Sequence, residues 1–184
     1  MEVQAFALSD LLLFTPKRHG DDRGVFAEVF REDVFQAHVP GMRLVQDNHS
    51  VSVLKGTIRG LHYQKSPRAQ GKLVRVVRGS ILDVAVDARS GSPTFGQHVA
   101  VTLSAENWQQ LWIPAGFLHG FCSLSDGAEV LYKVSDTYSA AHDAAVLWND
   151  PALGIAWPVT EDAAIVSEKD RKAPLFRDMG EVFA

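Results

Sequence analysis

One stretch of the chain concentrates side chains that can do acid–base chemistry. Arg59, His62 and Lys72 lie in two neighbouring segments, RGLHYQ at 59–64 and QGKLVR at 70–75. An arginine binds phosphate or carboxylate through two parallel hydrogen bonds. A histidine takes up and releases protons near neutral pH, and a lysine can stabilise an oxyanion. This set of groups suits proton abstraction beside a carbonyl group on an anionic substrate.

The segments around this stretch carry the signals of β-strands. In residues 43–54, for example, polar side chains on one face alternate with valines on the other. Strands are predicted at 24–30, 43–54, 72–77, 80–86, 96–103, 109–113, 117–124 and 128–134. Glycine and proline separate these short segments, which is typical of a β-sandwich or barrel. A short helix is predicted at 32–38, and the last part of the chain is expected to wrap the barrel as loops and short helices.

Gly60 indicates an irregularity in the strand that carries Arg59 and His62. These two residues are three positions apart, so a regular strand would point them to opposite faces. A glycine between them can mark a β-bulge that re-aims one side chain. A plain bend in the strand is the alternative interpretation.

Length and composition restrict the class of protein. The 184 residues predict a single domain, 1–184, that can bury a sizeable core. A hydrophobic content of 46% and a charged content of 22% are typical of a globular protein. The net charge of −4 argues against nucleic acid as the main partner, although it allows a local cationic pocket.

The distribution of cysteine and apolar residues favours a cytoplasmic protein without membrane partners. Cys122 is the only cysteine, so an internal disulfide is impossible, which fits a reducing compartment. The first residues lack the basic region and long apolar run of a signal peptide. No apolar run approaches the length of about 18 residues that a transmembrane helix requires.

A second motif bears on metal binding. The segment PAGFLH at 114–119 resembles the second motif of the cupin barrel family. Metal-binding cupins pair that histidine with an earlier His-x-His and a glutamate, but here the segment 62–64 reads HYQ and no glutamate lies between Gln64 and Asp83. At most two of the usual ligands remain, whereas stable metal sites need three or four. We therefore expect a mainly β, cupin-type jelly-roll barrel with a few short helices and no metal. There is also no Gly-x-Gly-x-x-Gly loop, so no nicotinamide cofactor is expected.

Motifs along nearly the whole chain are similar to those of the dTDP-4-dehydrorhamnose 3,5-epimerase family, enzymes of dTDP-L-rhamnose synthesis. They are DDRGVF at 21–26, VQDNHS at 45–50, RGLHYQ at 59–64, QGKLVR at 70–75, GSPTFG at 91–96, IPAGFLHGF at 113–121, WNDP at 148–151 and SEKD at 167–170. Each motif alone is weak evidence. Because all of them occur in order, chance is a poor explanation.

The resemblance implies an isomerase that converts dTDP-4-dehydro-6-deoxy-D-glucose into dTDP-4-dehydro-L-rhamnose. The C4 ketone of such a nucleotide sugar acidifies the protons on C3 and C5, so a base on one face and an acid on the other can invert each carbon through an enolate. The family's base corresponds to His62 and its acid to Tyr132. Asp170 corresponds to the carboxylate that orients the histidine, and Lys72 to the cation near the C4 oxygen.

Each of these assignments has a purely structural alternative. His62 could be a core histidine with satisfied hydrogen bonds, and Tyr132 a core aromatic with its hydroxyl at the rim. Asp170 follows Ser167 at a spacing like that of a capping box, so it could serve only to support the start of a helix.

Binding residues are implied in the same way. Arg23 and Arg59 match positions that contact the diphosphate, Tyr138 matches the aromatic ring that stacks on thymine, and His119 matches a substrate contact. Glu28 shares a strand face with two phenylalanines and is therefore expected inside the pocket. The other predicted substrate-binding residues are Gln46, Asp47, Asn48, Asp143 and Lys169.

Other functions remain open. Relatives that epimerise only C3 or only C5 share nearly all these residues, and a cupin ketoisomerase or a non-catalytic nucleotide-sugar-binding cupin is also possible. His19, Ala140, Asp143 and Ala145 depart from the usual family pattern, which bears on substrate selectivity. The resemblance also implies a homodimer and a product used for lipopolysaccharide or cell-wall polysaccharide. The apolar segment 3–13 is expected to add a strand to a partner's sheet.

Overall fold

A computed structural model describes residues 1–8, 10–180 and 183. Its strands are β1 (Glu2–Ala5), β2 (Leu12–Thr15), β3 (Arg18–Asp21), β4 (Gly24–Ala27), β5 (Gln46–Ser52), β6 (Thr57–Gln64), β7 (Lys72–Arg78), β8 (Ser80–Asp87), β9 (His98–Ser104), β10 (Gln110–Ile113), β11 (Phe117–Ser123), β12 (Ala128–Val134), β13 (Asp143–Ala145) and β14 (Ile165–Val166). The helices are α1 (Glu32–His38), α2 (Glu168–Arg171) and the 3₁₀ turns Glu161–Ala163 and Phe176–Asp178.

The long strands form two sheets that face each other. The first sheet has the order β1-β2-β10-β7-β12-β5, and the second has the order β13-β6-β11-β8-β9, with β14 parallel to the edge of β6. One buried cluster joins Val74 and Leu111 of the first sheet to Ile81, Leu103 and Phe117 of the second. Two mainly antiparallel sheets packed over such a core form the expected jelly roll.

The outer face of the first sheet is covered by α1. Phe35 of α1 packs edge-on against Trp112, with ring centroids 5.1 Å apart, and also contacts Phe14 at 6.0 Å. Leu73 joins the same buried cluster. The helix lies at the positions that the sequence predicts, 32–38.

Strand boundaries differ from prediction mainly where side chains leave the sheet to fill a core. The predicted strand 24–30 ends at Ala27, because Phe30 turns toward Phe35 at a centroid distance of 5.8 Å. The apolar segment 3–13 is not one strand. It forms β1 and part of β2, which pair with each other across a turn that contains Asp10 at a φ of 73°.

The predicted irregularity at Gly60 is confirmed. In the β6–β11 ladder, His119 pairs with His62 but Phe121 pairs with Arg59, so β6 contains one extra residue at this point. Gly60 has a φ of +125°, and a Cβ there would lie 2.5 Å from the Cα of Gly120. Only glycine tolerates this backbone conformation and close approach. The extra residue lets Arg59 and His62 line the same cavity.

The chain after β13 packs along the second sheet. β14 pairs with the start of β6, with Ile165 beside Thr57 and Val166 beside Ile58. Helix α2 follows directly, and the Ser167 side chain accepts a hydrogen bond from the backbone N–H of Asp170 as the N-cap. This arrangement brings Asp170 next to β6. In the described part of the chain, no helix is long and apolar enough to cross a membrane.

Candidate active site

A polar cavity of about 290 Å³ lies between the two sheets. Ten of the residues predicted for the site line it: Gln46, Asn48, Arg59, His62, Lys72, His119, Tyr132, Tyr138, Asp143 and Lys169. These residues come from β5, β7 and β12 on one wall, from β6, β11 and β13 on the other, and from the α2 segment and the loop after β12. The fold therefore gathers residues that are far apart in sequence around one cavity.

His62 forms a short hydrogen bond with Asp170. Its Nε2 lies 2.7 Å from Oδ1 of Asp170, and the two side chains are 36% and 5% exposed. The backbone N–H of Gly60 donates to Oδ2 of Asp170 at 3.3 Å. Burial alone would raise the pKa of Asp170, but the hydrogen bond and charge of His62, with smaller contributions from Gly60 and Ser167, hold that pKa below its usual value. Asp170 is thus a stable carboxylate that can orient His62 and stabilise its protonated form.

A second histidine–carboxylate pair lies beside the first. His119 is the direct neighbour of His62 across the β6–β11 ladder. Its Nε2 lies 2.7 Å from Oδ1 of Asp83 on β8, and the two side chains are 8% and 0% exposed. The other oxygen, Oδ2 of Asp83, is buried and has no hydrogen-bond partner in the part of the chain that the structure describes.

Lys72 is a buried cation in the same cavity, with a relative exposure of 7%. Its Nζ lies 3.5 Å from the backbone carbonyl oxygen of His62. Burial lowers the pKa of Lys72 to about 8, while the nearby carboxylates of Asp83 and Asp143 act to raise it. A buried ammonium group of this kind can stabilise a developing oxyanion.

Tyr132 faces the cavity from the opposite sheet. It lies on β12, where it pairs with Asn48 of β5 and Val74 of β7. Burial raises the pKa of its phenol above 10, although the charge of Arg59 opposes this shift. The hydroxyl group is therefore protonated at neutral pH and can donate a proton into the cavity.

The outer part of the cavity is more open. Tyr138 is 60% exposed, and its hydroxyl donates to Asp143 at 3.4 Å. Asp143 also forms an ion pair with Lys169. Arg59 donates to the backbone carbonyl of Val51 at 2.9 Å. Two cations and one exposed aromatic ring at this end provide the kinds of group that recognise a phosphate and a flat base.

Three predicted binding residues are not at this cavity. Arg23 lies on the turn between β3 and β4, where its side chain is 90% exposed and paired with Asp21. Asp47 points to the outer face of β5, opposite to its neighbours, and pairs with Lys133 at 2.9 Å. Glu28, expected inside the pocket, lies with Asp47 at a separate cavity of about 390 Å³ on the other face of the first sheet. The chain turns out of β4 before Glu28, so the strand-face argument does not hold there.

The sequence reasoning also missed several residues of the site. Asp83 is the most important of them, and its signal was an acidic residue within the otherwise apolar strand SILDVAVD. Asp83 lies behind His119 rather than in the lining of the cavity, and the lining residues that were not predicted are Ser50, Tyr63, Gln64, Gln70 and Phe121. Within residues 1–8, 10–180 and 183, no three histidine, cysteine or acidic side chains group as a metal site.

Comparison with known proteins identifies close relatives of this arrangement. A family model described as dTDP-4-dehydrorhamnose 3,5-epimerase matches residues 5–178. The chain is 51% identical over 179 residues to the dTDP-4-dehydrorhamnose 3,5-epimerase of Pseudomonas aeruginosa, a match that covers 97% of each chain.

Solved structures agree with this similarity. A dTDP-6-deoxy-D-glucose-3,5-epimerase from Legionella pneumophila, in complex with dTDP-4-keto-L-rhamnose, is 45% identical with a TM-score of 0.92, over 97% of this chain and 94% of that one. A 3′-monoepimerase from Streptomyces bikiniensis, in complex with dTDP-quinovose, is 37% identical with a TM-score of 0.86, over 94% and 86% of the two chains.

Proposed function

Because the chain belongs to the dTDP-4-dehydrorhamnose 3,5-epimerase family, we propose that its cavity carries out epimerisation with His62 as base and Tyr132 as acid. The chain is an isomerase, an epimerase of dTDP-rhamnose biosynthesis. The observation that supports the assignment of residues is geometric. His62 and Tyr132 project from opposite sheets into one cavity, so a sugar between them meets a base on one face and an acid on the other.

The reaction begins with removal of a proton beside the ketone. With the proton of Nε2 donated to Asp170, the other ring nitrogen of His62 carries the lone pair that takes the proton from carbon. The C–H bond breaks and its electron pair moves toward the C4 oxygen, which forms an enolate. Lys72 stabilises the charge on that oxygen, and Asp170 stabilises the imidazolium.

Tyr132 completes the inversion. Its O–H bond breaks as the proton passes to the same carbon from the opposite face, and the C4 carbonyl reforms. Solvent returns the proton to Tyr132 and removes one from His62. The same cycle at C3 and at C5 converts dTDP-4-dehydro-6-deoxy-D-glucose into dTDP-4-dehydro-L-rhamnose.

The nucleotide end of the substrate is assigned to the open part of the cavity. Arg59 and Lys169 can bind the diphosphate, and the exposed ring of Tyr138 can stack on thymine. Asp143 holds Lys169 and Tyr138 together at this end.

A monofunctional epimerase is the second candidate, because the Streptomyces bikiniensis 3′-monoepimerase shares the fold at 37% identity. The relatives that act on both positions are more similar, at 51% identity. The difference between the two candidates is the number of carbons that exchange protons, which can be measured directly.

We also propose a homodimer in the cytoplasm whose product serves lipopolysaccharide or cell-wall polysaccharide. The β3–β4 hairpin exposes Phe26 to 72% and holds Arg23 away from the chain's own cavity. A second copy of the chain would cover this hairpin and could receive Arg23 at its own site. A scattering mass of one 20.2 kDa chain at micromolar concentration would contradict the dimer. The buried free thiol of Cys122 supports the reducing compartment.

The central experiment follows the reaction in heavy water by proton NMR. The intact enzyme should place deuterium at both C3 and C5 of dTDP-4-dehydro-6-deoxy-D-glucose, with or without a metal chelator. His62→Ala should abolish exchange at both carbons, since no enolate forms. The exchange rate should fall by about 10²–10⁴-fold, the typical contribution of a general base.

Tyr132→Phe provides the matched variant. It should still exchange protons through His62 but fail to invert, because deuterium then returns from the same face. Labelling at one carbon in the intact enzyme would identify a monofunctional epimerase. Full inversion by His62→Ala would disprove its assignment as the base.

A further inference from the structure

Asp83 is a buried carboxylate that the proposed reaction has not used. It lies in the centre of β8 with a relative exposure of 0%, between apolar neighbours. One oxygen receives the N–H of His119 at 2.7 Å, and the other oxygen is buried without a hydrogen-bond partner among residues 1–8, 10–180 and 183. A buried carboxylate with an unsatisfied oxygen is costly to the fold. Its presence beside the cavity therefore calls for a functional explanation.

The first effect of Asp83 is on the orientation of His119. Because Asp83 engages Nε2, Nδ1 is the ring nitrogen that remains for the cavity, and the His119 side chain is among the groups that line it. A carboxylate that holds one nitrogen of an imidazole determines both its tautomer and its orientation. His119 thus presents a defined hydrogen-bonding atom beside the sugar.

The second effect of Asp83 is on the charge of Lys72. Burial lowers the pKa of Lys72 to about 8, and Asp83 is the first of the two carboxylates that oppose this shift. The titratable and charged groups that line the cavity with Lys72 are Arg59, His62, Tyr63, His119, Tyr132, Tyr138, Asp143 and Lys169, with Asp170 behind His62. Asp143 is already paired with Lys169, whereas Oδ2 of Asp83 has no hydrogen-bond partner among the described residues.

We propose that Asp83 is a positioning residue that orients His119 toward the sugar and keeps Lys72 protonated for enolate stabilisation. This inference rests on the proposed epimerase function. In this proposal Asp83 contacts neither the substrate nor the transferred proton, and it acts through His119 and Lys72, which both line the cavity. One oxygen of Asp83 holds His119, and the negative charge of the whole carboxylate acts on Lys72.

The test compares Asp83→Asn with the intact enzyme. The asparagine keeps an oxygen that can accept the N–H of His119 but removes the charge. We expect kcat to fall about 10–100-fold with a smaller change in KM, which is less than the loss of about 10²–10³-fold that follows removal of a direct oxyanion donor. The alkaline limb of the kcat/KM profile, which reflects loss of the Lys72 proton, should move to lower pH. If the alkaline limb of Asp83→Asn lies at the same pH as that of the intact enzyme, the proposal is overturned.

Asp87→Asn is the matched control. Asp87 lies on the same strand and is also fully buried, but it pairs with Arg89 and two hydroxyl groups away from the cavity. Its variant should lose stability while its alkaline limb stays at the position of the intact enzyme. An equal displacement in both variants would show a general effect of core disruption and would also overturn the proposal.

Two NMR measurements on the substrate-free protein test the role of Asp83 independently of the proposed epimerase activity. Carbon NMR of Lys72 Cε in free protein should show its titration midpoint at lower pH in Asp83→Asn than in the intact chain. If Asp83→Asn does not fold, nitrogen NMR of the intact chain decides, because neutral His119 must carry its proton on Nε2. A proton on Nδ1 would overturn the proposal even if the chain is an active epimerase. Lack of turnover by the intact chain would instead refute the epimerase assignment.

Discussion

The two histidine–carboxylate pairs at the cavity have the same nitrogen–oxygen distance but differ in how exposed they are. His62–Asp170 and His119–Asp83 each span 2.7 Å, and the two histidines are paired on adjacent strands. His62 is 36% exposed, whereas His119 is 8% exposed. Asp170 receives a further N–H from Gly60, whereas no described residue forms a hydrogen bond with the second oxygen of Asp83.

This difference shows how one kind of pair can serve two purposes. In the proposed reaction His62 gains a proton in each cycle, so it needs access to the sugar and a well-bonded counter-ion, and it is the more exposed histidine with Asp170 as its partner. A fixed electrostatic element instead benefits from burial, because charges interact more strongly where water is excluded. His119 and Asp83 have that environment, together with the buried cation Lys72.

The largest effect expected from this comparison is the loss of kcat in Asp170→Asn. The amide can no longer enforce the tautomer of His62 or stabilise its imidazolium, so we expect kcat to fall about 10²–10⁴-fold, which is the typical contribution of a general base. Steady-state kinetics measure the effect, which should exceed that of Asp83→Asn. Asp162→Asn, at an exposed carboxylate, is the control and should leave kcat unchanged within about twofold. A smaller loss in Asp170→Asn than in Asp83→Asn would reverse the assigned roles.

Lys72→Met tests how much stability the protein loses by burying the charge of Lys72 in the cavity. Burial lowers the pKa of Lys72 from 10.5 to about 8, which corresponds to roughly 3 kcal/mol of lost stability at pH values below 8. Methionine removes that cost, so the variant should be inactive yet more stable at pH 7, by about 1–3 kcal/mol in urea unfolding.

The stability that Lys72→Met gains over the intact protein depends on pH in a predictable direction. Between pH 8 and 10.5 the unfolded chain binds more protons at Lys72 than the folded chain does, so the intact protein gains stability as pH rises through this window. The advantage of Lys72→Met should therefore shrink above pH 8. Lys133→Met, at a partly exposed lysine, should change stability by only about 0.5 kcal/mol. A Lys72→Met variant less stable than the intact protein at pH 7 would refute this account.

The smallest expected effect is that of Ser167, which helps to hold Asp170 of the His62–Asp170 pair. Ser167→Ala removes the side chain that caps α2 and accepts the N–H of Asp170 at 3.1 Å. Loss of such a cap costs about 0.5–2 kcal/mol of stability. The thermal midpoint should fall and kcat should decline only a few-fold, because Asp170 keeps its bonds to His62 and Gly60. Ser167→Thr retains a capping hydroxyl and should behave like the intact protein. Equal losses in both variants would rule out the cap as the cause.

Local patterns predicted much of this molecule. Helix α1 and strand β12 have the predicted bounds, since their apolar spacing and turn residues act over a few positions. The bulge at Gly60 was open to prediction because only a glycine tolerates that backbone. The motifs around Arg59 and Lys72 predicted the chemistry and the family. The bounds of the helix and strand depend on interactions within a short stretch of chain, and the glycine and the motifs are visible in the sequence itself. The close approach to Gly120 that requires a glycine at position 60 is, however, a tertiary contact.

Only the tertiary structure decided which groups meet and how they are charged. Asp83 reaches His119 because β8 and β11 pair in one register, and Glu28 lies outside the cavity because the chain turns away after β4. The lowered pKa of Lys72 arises from burial between two sheets whose strands lie far apart in sequence. Register and desolvation are sums over many distant contacts, and no local pattern in the sequence specifies them.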